Sequence, residues 1–252
     1  MRYRTEKANP NRTRLTVGGD RVNYPGDCKT PTTDLLTVNL LLNSKISTPG
    51  AHFMTIDIKD FYLMTLLDQY KYMRLKMANL TKDVIQQYNL QDKVTKYGYV
   101  YLEIRQRMYE LPQVGILTQK QLEKRLITKG YKQSRLTPGF WTHAMRPISF
   151  ILCVDNFGVK YEGNKHVQYL MAVLEEHYMI SHYWKGTRYL GIDLEWDYAR
   201  QKVHLSMLLY MKEALIRFDH AMPRRLQDQP HPYVKPKYGQ KVQYIEEKES
   251  SP

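Results

Sequence analysis

The sequence predicts an α+β fold from three observations: apolar runs of strand length, pairs of such runs joined by turns too short for a crossover, and amphipathic helical stretches between them. Ile148 to Val154 is a continuous apolar strand and Phe157 to Tyr161 a second, so Asp155 and Asn156 are expected at the tip of a hairpin. Leu190, Ile192, Leu194 and Trp196 alternate strictly, which makes a half-buried strand pairing with Lys202 to Leu205 across a turn at Asp197 to Arg200. Gly115 to Lys129 carries Leu122 and Leu126 at helical spacing and stops at Gly130. Val167, Leu170, Met171 and Leu174 repeat as one face of an amphipathic helix.

The other elements follow in chain order. Residues 1–32 are basic and rich in Pro, Gly, Asn and Thr, with a short strand-like piece at Leu15 to Val17 before a Gly18-Gly19 turn. Thr33-Asp34 then caps a mostly buried helix, Leu35 to about Asn43, and Pro49-Gly50 breaks the chain. His52 to Ile56 reads as a short buried strand delivering Asp57 at its carboxyl end. Tyr72 to Leu75 and Tyr97 to Ile104 are strand-forming, whereas residues 78–96 are polar and show no clear period. Ser206 is a candidate cap for a last helix reaching about Phe218, and the Pro-containing polar stretch 223–252 reads as a linker.

Length and composition restrict the function classes. A chain of 252 residues, 42% hydrophobic and 25% charged, can bury a sizeable core as one large or two small domains. Its 38 Lys and Arg against 25 Asp and Glu leave a net charge of +13, which makes nucleic acid the first partner to consider; the alternative is a solvated basic surface. Two cysteines, Cys28 and Cys153, exclude a disulfide framework or a zinc ribbon and suit a reducing interior. The opening Met1-Arg2-Tyr3-Arg4 lacks the apolar run of a signal peptide, so the expected location is intracellular, cytoplasmic or nuclear, and the Asn11 sequon reads as accidental. Without a glycine-rich phosphate loop, ATP hydrolysis and hydride transfer have no support.

Two apolar strands end in acids, at Asp57 and Asp155. A sheet placing them side by side would hold two carboxylates at one edge, a site for hard divalent cations. The alternative is that each Asp simply ends a strand at a turn.

Ordered motifs add a resemblance. Thr55-Ile56-Asp57-Ile58-Lys59-Asp60-Phe61-Tyr62-Leu63 resembles the first catalytic motif of retroelement reverse transcriptases. Met108-Tyr109-Glu110-Leu111-Pro112-Gln113-Val114-Gly115 resembles the segment that grips template and incoming nucleotide, and Leu152-Cys153-Val154-Asp155-Asn156-Phe157-Gly158-Val159 the hairpin with paired aspartates. Tyr189-Leu190-Gly191-Ile192-Asp193-Leu194-Glu195-Trp196-Asp197-Tyr198 is similar to a downstream sheet segment in Pol polyproteins of LTR retrotransposons, nearest to the copia-like type. The resemblance runs from about Arg12 to about His220.

It implies a right-hand polymerase palm, an antiparallel sheet backed by helices, with partial fingers. The implied division is 1–50 as partial fingers and first helix, 51–205 as palm with a fingers insertion at about 64–105, 206–222 as the helix starting the downstream region, and 223–252 as linker or disordered tail. A truncated chain is expected, with RNase H and integrase segments of the parent Pol absent. The implied activity is RNA-directed DNA synthesis by two-Mg²⁺ nucleotidyl transfer, with Mn²⁺ as a substitute, on an RNA or DNA template with primer and deoxynucleoside triphosphates.

By the same resemblance Asp57 and Asp155 bridge the metal ions and the Ile58 carbonyl adds an oxygen ligand. Tyr62 stands under the sugar and excludes a 2′-hydroxyl, or else serves ordinary palm packing; Gln113 touches the incoming nucleotide, Pro112 fixes the backbone approach, and Arg14 clamps the triphosphate or is a surface residue of a basic segment. Lys185 is a candidate proton donor to pyrophosphate, or a solvated loop residue. The sequence departs from the pattern twice. Glu110 stands where Gly is usual, and Asn156 takes the position of the second hairpin aspartate, offering a carbonyl oxygen but no charge. A binding-only remnant that no longer assembles the metal pair, and a remnant with no ligand, are therefore the rival expectations.

Overall fold

The computed structural model describes residues 2–6, 9–16, 26, 28, 30, 33–64, 66–109 and 111–219, the first two stretches by backbone alone. The Gly18-Gly19 turn, Glu110 and the 223–252 stretch lie outside the described residues. In chain order the first elements are β1 (Arg2–Glu6), β2 (Asn9–Thr16), α1 (Leu35–Ile46), β3 (His52–Ile58), β4 (Leu66–Lys76), α2 (Lys82–Gln87), β5 (Tyr99–Gln106) and α3 (Val114–Thr128). Then come β6 (Tyr131–Gln133), β7 (Phe140–His143), β8 (Ile148–Cys153), β9 (Asn156–Tyr161), α4 (Asn164–Glu175) and β10 (Ile180–Tyr183). The last are β11 (Arg188–Tyr189), β12 (Ile192–Asp197), β13 (Lys202–Ser206) and α5 (Leu208–Arg217).

Two compact units divide the chain, Met1–Met207 and Leu208–Pro252. Helix α5 is the described element of the second. Ser206 closes β13 instead of capping that helix, because its backbone pairs with Asp193.

In the first unit the fold is α+β, and the described strand pairs are all antiparallel. A six-stranded sheet runs in the order β10-β3-β9-β8-β7-β6. Alternation along its strands sends one set of side chains to each face. Met54, Ile56, Ile58, Phe150, Leu152, Phe157 and Val159 meet Leu122 and Leu126 of α3 and Val167, Leu170 and Leu174 of α4 in the main core. The opposite face offers Phe53 and Ile151 to Val38, Leu41 and Leu42 of α1 and to Tyr189, Ile192 and Leu194 of the three-stranded β11-β12-β13 sheet. Helices thus back one face of the sheet, and α1 with a small sheet covers part of the other.

Local chemistry explains the helix ends. The Asp34 carboxylate accepts from the Thr37 N–H at 2.7 Å and caps α1, and Gly130, at φ +90°, ends α3 in the left-handed region open to glycine. Two expectations for α1 need correction. The helix extends to Ile46, and Leu35, Leu36 and Leu40 are exposed, so it is half buried. Its last turn is held by an unusual contact: Lys45, nearly fully buried, lays its ammonium 4.7 Å from the Trp196 ring centroid and 3.6 Å from that of Tyr198.

Strands β4 and β5 form a separate two-stranded ribbon. The stretch without a clear sequence period turns out to be short helical turns, Met77–Asn79, α2 and Leu90–Lys93. They cover the inner face of the ribbon, where Leu75, Val100 and Leu90 are buried.

Candidate active site

Residues distant in sequence converge where β3 ends beside the β8–β9 hairpin. Asp57 of β3 pairs with Asn156 of β9 on one side and Ser181 of β10 on the other, and Asn156 pairs with Cys153 of β8. Residues directly opposite in an antiparallel ladder point to the same face with Cβ atoms about 5 Å apart. Register alone therefore lines Ser181, Asp57, Asn156 and Cys153 into one row. Asp155 sits next to this row in the two-residue turn, and its backbone carbonyl accepts from the Ile58 N–H at 3.0 Å. That bond stitches the end of β3 to the hairpin tip. An extended residue turns its N–H and C=O to the same side, so Ile58 presents its carbonyl toward the hairpin as well.

The tip differs by one residue from the sequence expectation. The turn residues are Val154 and Asp155, while Asn156 already belongs to β9. Val154 has φ +60°, a left-handed backbone that a β-branched side chain rarely adopts. Strain of this kind costs about 1–3 kcal/mol and gathers at functional sites.

Electrostatics set the character of the acids. Burial, and then the charge of Asp155, raises the Asp57 carboxyl above its ordinary range, with partial relief from Lys59. Burial and the same aspartate raise the Cys153 thiol. The Asn156 amide donates from Nδ2 to Asp155 Oδ1 at 2.8 Å, occupying part of that carboxylate's acceptor capacity. Both cysteines are free thiols.

The donor set has the chemistry of a hard-cation site: two carboxylates, one of them held partly out of water beside its like-charged neighbour, and a backbone oxygen. Among the described residues no group of three or more His, Cys, Asp or Glu comes together as a metal cage, so Asp57 and Asp155 stand without a third acid. A cleft of about 600 Å³ opens next to the row, lined by Asp57, Asn156, Ser181, His182 and Arg188 among others.

Tyr62 packs between the main core and a smaller cluster with Leu67, Ile104, Leu111 and Val114. Its ring meets Tyr109 edge-on at 5.3 Å, and burial followed by the Asp155 charge raises its phenol. Gln113 stands at the start of α3 with its side chain buried and its Oε1 without a hydrogen-bond partner among the described residues. Pro112 precedes it, half-buried. Arg14 lies in β2, where its backbone pairs with Arg4, and its side chain is outside the description. Lys185 lines a different cleft, with Trp196, Tyr198 and His204.

Ser181, His182 and Arg188 were not legible as site residues. Ser181 reaches the row through the register of β10, a four-residue edge strand with no apolar alternation. Arg188 sits next to the Tyr189-Leu190-Gly191 segment that carried the resemblance, the one signal that pointed toward it.

No protein-family model matches the chain. No curated protein matches it either. Among solved structures, telomerase from Candida albicans in complex with a TWJ fragment of telomeric RNA is similar at 12% identity and a TM-score of 0.35, over 64% of this chain. This chain covers 33% of that one, about a third of its length. The functional reading therefore rests on the geometry of the site.

Proposed function

We propose that the chain is a template-directed nucleotidyltransferase core of the reverse-transcriptase type, adding deoxynucleotides to a primer on an RNA or DNA template. The observation that carries this reading is the convergence of Asp57 and Asp155 at one end of the sheet, locked by the Ile58 amide on the Asp155 carbonyl and flanked by an open cleft. In this reading the two carboxylates and the Ile58 carbonyl would hold Mg²⁺, which would supply stabilisation of the charge on the attacking and leaving oxygens of phosphoryl transfer. The closeness of the Asp155 charge to Asp57 supports it, because two carboxylates that repel each other are a place where a dication would be favoured.

The remaining roles follow from what each side chain can offer. Tyr62, braced by Tyr109, would stand under the sugar and leave no room for a 2′-hydroxyl. Gln113, whose buried Oε1 has no partner among the described residues, would touch the incoming nucleotide through a donor that pairs with it. Pro112 would hold the backbone before it, and Arg14 would grip the triphosphate through its planar guanidinium.

One contact favours a second reading, nucleic-acid binding without turnover. Asn156 donates to Asp155 where a carboxylate would add a full negative charge for a second cation. Primer extension on an RNA template with Mg²⁺ decides between the two, comparing the chain with Asp57→Asn, Asp155→Asn and Asn156→Asp. Extension by the unaltered chain that Asp57→Asn abolishes supports catalysis. Template-primer binding with no extension by the chain or by Asn156→Asp overturns it in favour of the second reading.

A further inference from the structure

The β4–β5 ribbon carries a surface that the carboxylate site does not use. Pairing of Tyr72 with Glu103, Arg74 with Tyr101 and Lys76 with Tyr99 puts these side chains on one face. The residues between them, Met73, Leu75, Val100 and Leu102, turn inward to the apolar clusters. The inward face is thus satisfied by the chain itself, and the outward face is left to solvent. Tyr72 is 68% exposed and Tyr101 60%.

This face is built from aromatic rings interleaved with cations. The Arg74 guanidinium lies 4.6 Å from the Tyr99 ring centroid, Lys76 is 5.9 Å from the same ring, and Arg105 is 5.7 Å from that of Tyr70. Glu103, the one acid among the described side chains of this face, accepts from Arg105 at 2.7 Å and from the Tyr72 hydroxyl at 3.0 Å. Among the described residues neither Arg74 nor Lys76 is bridged to a carboxylate. The face therefore presents an excess of positive charge between exposed rings. Same-face neighbours along a strand are about 7 Å apart, which leaves room for a planar group to lie on each tyrosine.

Rings with π-faces open to solvent, flanked by cations, match a ligand made of planar bases on an anionic backbone. A protein partner fits less well, since the centres of protein interfaces are depleted in Lys and in charge. We infer that the outer face of the β4–β5 ribbon is a binding surface for single-stranded nucleic acid, whose bases stack on Tyr72 and Tyr101 while Arg74, Lys76 and Arg105 meet its phosphates. The inference shares with the polymerase reading only the class of ligand, and it holds whether or not the carboxylates catalyse.

The test is fluorescence anisotropy with a labelled single-stranded oligonucleotide of mixed sequence, in EDTA so that no cation site contributes. Each of Tyr72→Ala and Tyr101→Ala is expected to lower affinity about five- to hundredfold, the range for loss of one stacked base. The Phe variants are expected to bind like the parent, and an abasic strand of equal length to bind as weakly to the parent as the intact strand does to the Ala variants. Unchanged affinity in the double Ala variant overturns the inference. So does loss of affinity with Phe as large as with Ala, because the Tyr72–Glu103 hydrogen bond and not the ring face would then matter. Equal binding of abasic and intact strands also overturns it. Because the assay runs in EDTA and reads binding alone, failure here leaves the carboxylate reading standing, and a failed primer extension leaves this one standing.

Discussion

Burial and the neighbouring Asp155 both push the Asp57 carboxyl upward, so the folded chain holds a proton at this position more tightly than the unfolded chain does. Below the unfolded carboxylate range both states are protonated and the fold carries no penalty. As pH rises through the unfolded value toward the raised folded one, the ionised group comes to cost stability. Asp57→Asn removes that ionisation and should stabilise the chain at about pH 8, by less than about 1 kcal/mol because the group is partly solvated. The gain should shrink toward about pH 4. Thermal melting of the two proteins across this range checks it, and an Asn variant less stable than the parent at the alkaline end would contradict the desolvated-acid reading. If the site holds Mg²⁺ as proposed, the order should reverse in its presence, since the parent would gain a bound ion and the variant would not.

At the scale of elements, the small β11–β12–β13 sheet packs on the central one through Tyr189, Ile192, Leu194 and Trp196, and Tyr189 adds a hydrogen bond between them. Tyr189 donates its hydroxyl to the Ile151 carbonyl at 3.0 Å and lies over Gly158, where an added Cβ would come within 2.8 Å of its Cζ and 3.2 Å of the Phe53 ring. Gly158 is therefore required for close approach of the two sheets. Gly158→Ala should destabilise by about 1–3 kcal/mol through overpacking, seen as a lower melting temperature. A melting temperature equal to that of the parent would mean that the two sheets are not held as closely as this. The pairing of β8 with β9 and of β12 with β13 was legible, because continuous or alternating apolar runs on both sides of a short turn leave little choice of register. The exact tip was not, since nothing in a β-branched side chain announces the positive φ of Val154. β10 is specified by a ladder partner remote in sequence, β3, whereas β6 and β7 pair with their neighbours in the chain but are too short, at three and four residues, to show a period. The exposed Leu35, Leu36 and Leu40 misled because an all-apolar helix face reads as buried until its packing partners are known.

For the whole chain, the net charge of +13 suggests nucleic acid but cannot say where it lies. Asp57 and Asp155 were legible as strand-end acids, yet their meeting depends on a sheet order in which β3 inserts between β9 and β10, a fact of topology and not of local sequence. The ribbon face was hidden for a related reason: Tyr72, Arg74, Tyr99 and Tyr101 become one surface only when residues from either side of the helical insert pair in register. Diffuse and local attraction differ in their salt dependence. If the ribbon cations make about three phosphate contacts, single-strand affinity should fall roughly tenfold or more between 50 and 200 mM salt, because each contact adds a slope of about −0.7 in log–log form. Arg74→Gln should then make the slope shallower by about that one increment while leaving the fold intact, as expected for an exposed residue. A slope that is steep in both proteins and unchanged by the substitution would instead assign the attraction to the summed field of the chain, with no phosphate seated at Arg74.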